Sequence, residues 1–126
     1  DRFGNINNAY SFDGSNSYVE IANGNPFNLG NQFSLSAWIK PASSQASGAV
    51  IFSKPSSNGG WLIDQPNVNN EFRFGDMGMH NSGAPCSMPL LSNVWNHLAV
   101  TVKDLTAHCY LNNILVGTGA AAQRQL

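Results

Sequence analysis

Apolar and polar residues alternate in short runs along the chain: "NAYSFDG", "SYVEIAN", "FSLSAWIK", "GAVIFSK", "GWLIDQ", "EFRFGD", "NHLAVTVK", "AHCYLNN" and "ILVGTG". Side chains of an extended backbone point to opposite faces in turn, so each run predicts a strand with one face toward a core. Turn-forming residues separate the runs at spacings of about ten, as a sandwich or barrel requires. No segment carries a capped apolar stripe of helical period; the longest candidate, around Leu90 to Val94, is broken by Pro89, Ser92 and Asn93. The pattern predicts an all-β fold.

The connections "ANGNPFNLGNQ", "KPASSQASGA", "KPSSNGG" and "GDMGMHNSGAPCSMPLLSN" read as loops, and the last is long enough for a functional excursion or a tolerated insertion. No internal repeat, linker or low-complexity tract interrupts the chain, so residues 1–126 are read as a single domain. One core is what this length supports.

In "FSLSAWIKP", Phe33, Leu35, Ala37 and Ile39 share one face, while Trp38 falls with Ser34, Ser36 and Lys40 on the other. If the first four fill the core, Trp38 lies outside it and must be covered by a loop, a partner or a ligand. In "GWLIDQ" either Trp61 and Ile63 or Leu62 and Asp64 face inward. In "EFRFGD" the bulk of Phe72 and Phe74 points them inward, which puts Glu71 and Arg73 on an outer face.

Charged residues make up only 10% of the chain and the formal net charge is -1. Six Lys and Arg, scattered singly, form no stripe that would neutralise phosphates, and no apolar run is long enough to span a bilayer as a helix. Nucleic acid and membrane insertion are therefore not expected. The opening "DRFGNINNAY" lacks the basic start and apolar stretch of a secretion signal, and no Asn-X-Ser/Thr sequon with a permitted middle residue occurs.

Cys86 and Cys109 allow one intramolecular pairing. Cys109 shares a strand face with Ala107 and Leu111, and the favoured reading is a buried free thiol, with the disulfide as the alternative. The histidines, His80, His97 and His108, have none of the spacings that build a zinc site.

The strings "AYSFDGSNSYVEIAN", "FSLSAWIKP", "IFSK", "FRFG", "VWNHLAVTV" and "YLNNILVGTG" occur in the order seen in laminin-G-like domains of the concanavalin A-like jelly-roll superfamily, and the chain resembles that family over residues 9–119. The resemblance implies a two-sheet antiparallel jelly-roll sandwich, non-catalytic and extracellular or on the cell surface, that binds carbohydrate or protein partners, often with calcium. It also implies packing roles for Trp95 and His97, and for Trp38 a packing role under a loop or terminal segment rather than ligand stacking. Family domains continue into two further strands, which "AAAQRQL" resembles in neither case, so a first strand around Tyr10 to Phe12 is expected to lack its neighbour. Such an edge invites pairing with another chain, and a homodimer is the expected consequence.

Hydrolases on this scaffold cluster carboxylates on alternate positions of one strand, and no such cluster exists here. Asp64 and Glu71 are the nearest plausible pair, and each reads as a solvated turn residue. A sugar site needs an aromatic platform ringed by hydrogen-bonding groups. Trp61, beside the "SSNGG" loop, is the expected platform, with Asp64, Arg73, Asp76 and Asn81 as its polar partners. Calcium, if bound, would be held weakly and through Asp76, because "GDMGMHNSG" offers one carboxylate. The runner-up function is an assembly module that dimerises through the uncovered edge.

Overall fold

A computed structural model describes residues 1–22, 27, 29–54, 60–65, 71–76 and 86–121. Eight strands form: β1 (Phe33–Ile39), β2 (Val50–Lys54), β3 (Trp61–Asp64), β4 (Glu71–Asp76), β5 (Cys86–Pro89), β6 (Asn96–Lys103), β7 (Thr106–Leu111) and β8 (Ile114–Ala120). They make two antiparallel sheets of four, ordered β1-β6-β7-β8 and β2-β3-β4-β5. The all-β sandwich expected from the alternation is the fold observed.

Alternation explains which side of each strand is inward. On β6, Leu98, Val100 and Val102 are buried while His97, Ala99 and Thr101 are half-buried on the other face. Their partners on β1 are Ala37, Leu35 and Phe33, and on β7 are Leu111, Cys109 and Ala107. Facing them across the sandwich lie Trp61, Ile63, Phe72, Phe74, Cys86 and Met88. Phe33 packs between the sheets, its ring 6.2 Å from Phe74 and 6.5 Å from Trp61.

Two tight connections set the register of the first sheet. Asp104 and Leu105 join β6 to β7, and Asn112 and Asn113 join β7 to β8; all four have positive φ, between 49° and 68°. Such two-residue turns match the twist of the strands they join. Asn suits this conformation, whereas Leu105 pays for it sterically and is held there with its carbonyl accepting from the Ala121 amide at 2.8 Å.

The chain between Leu91 and Trp95 is organised by Asn96, which is fully buried. Its Nδ2 donates to the carbonyls of Leu91 (2.8 Å) and Val94 (2.9 Å), and its Oδ1 accepts from the Leu91 amide at 3.1 Å. A buried amide satisfied on both ends fixes a loop at little net cost.

Three expectations are corrected. "NAYSFDG" and "SYVEIAN" form no strands, and the large apolar side chains of residues 1–22 are exposed. The stretch read as a single long loop contains β5, whose Cys86 and Met88 face the core against Phe74 and Phe72. That strand is four residues long, ends on Pro89 and lies inside a stretch rich in Gly, Ser and Pro, which made it read as loop. Finally, Cys86 and Cys109 are disulfide-bonded, with their Cα atoms 6.0 Å apart. The inward face that made Cys109 read as a buried thiol is the reason it meets Cys86, since β5 and β7 lie in opposite sheets.

Candidate functional site

The expected site residues do not converge. Trp61 is 7% exposed and belongs to the core, so its ring offers no platform to a ligand on the surface. This corrects the expectation, and the cause is parity: Trp61 and Ile63 are the inward pair of β3. Asp64 and Arg73 do meet, as opposite residues on the outer side of β3 and β4. Arg73 Nε donates to Asp64 Oδ1 at 3.0 Å, with Nη2 3.5 Å from Oδ2.

Asp64 is buried in that pairing and is no solvated turn residue, so the guanidinium occupies the carboxylate oxygens a ligand or a catalytic proton would need. Glu71 is exposed at the start of β4, two residues before Arg73 and opposite Pro89. Asp76 ends β4, where its backbone pairs with Trp61. Asn81 lies outside the described residues. Among the described residues no group of three or more His, Cys, Asp or Glu could hold a metal ion.

The outer face of the first sheet has a different character. Strand register places Ser34, Thr101, His108 and Thr118 in one row across β1, β6, β7 and β8, and Ser36, Ala99, Tyr110 and Leu115 in the next. Trp38 and His97 are opposite each other one step further along. Their rings lie 5.0 Å apart and tilted by 33°. Trp38, near the end of the edge strand β1, is 43% exposed.

The Arg2 guanidinium stacks on that ring, 4.3 Å from its centroid, and also on Phe3 at 4.4 Å. A terminal segment thus partly covers Trp38, as the resemblance implied. The indole accepts a planar polar group on its free side, which is the geometry a pyranose face also uses.

Chemically, this face combines two aromatic rings, Trp38 and Tyr110, with hydroxyls from Ser34, Ser36, Thr101 and Thr118 and the imidazoles of His97 and His108. Strand spacing and rise put the two rings roughly 12 Å apart, the span of a short oligosaccharide. None of the strand positions on this face is a carboxylate, so it contains no acid and base pair of the kind glycoside hydrolysis uses. Tyr110 and His108 were missed from the sequence, although the parity of "TAHCYL" separates them from Ala107 and Cys109.

No curated protein and no solved structure matches the chain. A family model described as the concanavalin A-like lectin/glucanases superfamily, of laminin G type, matches residues 13–126. The match takes in all eight strands, and the two four-stranded antiparallel sheets are the architecture it calls for. This chain is a member of the laminin-G-like family of the concanavalin A-like lectin/glucanases superfamily.

Proposed function

We propose that the domain is a non-catalytic carbohydrate-binding module whose sugar surface is the outer face of β1, β6, β7 and β8, centred on Trp38. The observation that carries this reading is the half-exposed indole, flanked by His97 and already stacked on by a planar cation. Members of the superfamily often bind carbohydrate or protein, which supports a binding role over catalysis. The Cys86–Cys109 disulfide supports an extracellular or cell-surface setting, where such bonds persist.

An open face buries little of a ligand, so a single site binds weakly and repeated sites supply avidity. Since none of the strand positions on the face is a carboxylate, binding through them does not require calcium. A weak calcium site at Asp76 would be a separate feature of the domain.

A glycan array followed by calorimetric titration of the best hit tests this. Trp38→Ala is expected to weaken binding by tenfold or more, on the order of the 1.4 kcal/mol that one stacking contact supplies, while leaving thermal stability nearly unchanged. Arg2→Ala is expected to strengthen binding, because it removes the internal competitor for the ring. A silent array, or a Trp38→Ala variant that binds normally, overturns the proposal. Loss of binding on chelation would move the site to Asp76.

A further inference from the structure

We infer that the turn formed by residues 1–5 is a self-inhibitory latch: it holds the Arg2 guanidinium on Trp38, and the surface assigned above to sugar is open only while the turn is released. This gate rests on the sugar-binding reading of Trp38 and is carried by the chain itself.

The turn is built locally. Asp1 Oδ1 accepts from the amides of Phe3 (2.9 Å) and Asn5 (3.0 Å), and Asp1 Oδ2 accepts from Asn5 Nδ2 at 3.2 Å. The Asp1 carbonyl accepts from the Gly4 amide at 3.1 Å, and Gly4 takes a φ of 85°, which a side chain would oppose. One carboxylate thus folds five residues around itself and sets the direction in which Arg2 is presented.

Rings hold the Arg2 side chain. Its guanidinium carbon lies 4.3 Å from the centroid of Trp38 and 4.4 Å from that of Phe3, and among the described residues it makes no ion pair. The neighbouring carboxylate of Asp1 is engaged by amides instead. Trp38 already has His97 beside it, with 5.0 Å between ring centroids, so the latched guanidinium competes for the rest of the indole.

The latch is weak, as a reversible gate must be. The three hydrogen bonds of the Asp1 carboxylate are exposed to water. A cation–π contact at an exposed site favours the closed form by about two- to fivefold, which leaves roughly a sixth to a third of molecules open. A ligand that accepts only the open form binds about three- to sixfold more weakly than it would to an unlatched chain. The coupling is reciprocal: a ligand seated on Trp38 releases the turn.

Two measurements read the latch with no ligand present. The δ-methylene protons of Arg2 are expected to be shifted upfield by the indole ring current, and Asp1→Ala is expected to abolish most of that shift while leaving Arg2 in place. Acrylamide quenching of Trp38 fluorescence, taken as the difference from Trp38→Phe, is expected to rise in both Asp1→Ala and Arg2→Ala. Lys103→Ala removes a charge roughly 20 Å along β6 from His97 and is expected to leave it unchanged. Arg2 protons at their unstacked position in the wild type, or quenching equal in all these chains, overturns the latch.

Calorimetry with the best glycan from the array supplies the functional arm. Arg2→Ala and Asp1→Ala are each expected to bind it about three- to sixfold more tightly than the wild type. Unchanged affinity in both, with Trp38→Ala unable to bind, overturns the gate and leaves the sugar-binding reading standing. An array silent for the wild type and for Arg2→Ala removes the sugar-binding reading, and the ring-current shift and the quenching then decide the latch alone.

Discussion

Gly117 and Cys86 touch across the sandwich: a Cβ added to Gly117 would lie 2.8 Å from the Cβ of Cys86 and 3.5 Å from its Cα. Gly117 is the β8 partner of Cys109, so the residue beside the disulfide must be the smallest one if β8 is to approach β5. The atoms it would meet are backbone and Cβ, which cannot rotate away. Gly117→Ala is therefore expected to cost about 1–3 kcal/mol, the range for overpacking a closed core. Urea unfolding with an unchanged m-value checks it. A neutral result would mean the two sheets separate at this edge more easily than the contact implies.

The disulfide closes a loop of 23 residues between the two sheets. Constraining the unfolded chain over that length is worth about 3 kcal/mol in the loop-entropy model. Replacing both cysteines by alanine is expected to lower stability by about that amount plus the packing lost at Cys109. Reduction of the wild type should reproduce most of the change. A reduced protein as stable as the oxidised one would show that packing alone joins β5 to β7.

Asp64 is buried, and Arg73 is the cation that pairs with it. Truncating Arg73 strands the carboxylate away from water, which costs more than the pair itself contributes. Because the Arg73 side chain is 26% exposed and water can reach the site, Arg73→Met is expected to lose about 2 kcal/mol, less than a deeply buried pair would. Arg73→Lys, which keeps the charge without the planar fork, should lose less. The double variant Asp64→Asn with Arg73→Met should fall short of the sum of the single losses. Strict additivity in that cycle would mean the two residues do not interact.

Alternation located β1, β4, β6 and β7 by an apolar face at a period of two, and short apolar runs between turn residues located β2, β3 and β8. It failed in two directions. "NAYSFDG" and "SYVEIAN" have the same period as real strands, yet a strand exists only when a neighbour takes up its backbone hydrogen bonds, and the pattern of one segment says nothing of its neighbours. "CSMP" alternates but lies among Gly, Ser and Pro residues that read as loop, and its place in the sheet comes from Cys86 and Met88 meeting Phe74 and Phe72.

The site was less legible for a related reason. Trp61 and Trp38 both stand in strands, and only the inward set of each strand decides which ring is buried. For β1 the four apolar partners made that choice clear, whereas in β3 Leu62 and Ile63 left it open. Tyr110 joins Trp38 through the register of β1, β6 and β7, which is a property of the sheet and not of any one run.

The turn at Asp13 gives an acid prediction. The amide of Ser15, followed by those of Ser17 and Asn16, donates to the carboxylate and holds its pKa far below the ordinary value of 3.8. The folded form is thus the more acidic one, so the turn is favoured at pH values above 3.8. That advantage declines as pH falls below 3.8 and is gone only once the pH has passed through the depressed folded value. The group is fully exposed, and the effect is local to the turn. Amide chemical shifts of Ser15, Asn16 and Ser17 are expected to stay constant from neutral pH to pH 4 and to move only in stronger acid. Asp13→Asn keeps an acceptor oxygen but loses its charge, and should weaken the same amide bonds at every pH while removing their acid transition. A transition centred on the ordinary carboxylate value in the wild type would mean these three hydrogen bonds do not hold in solution.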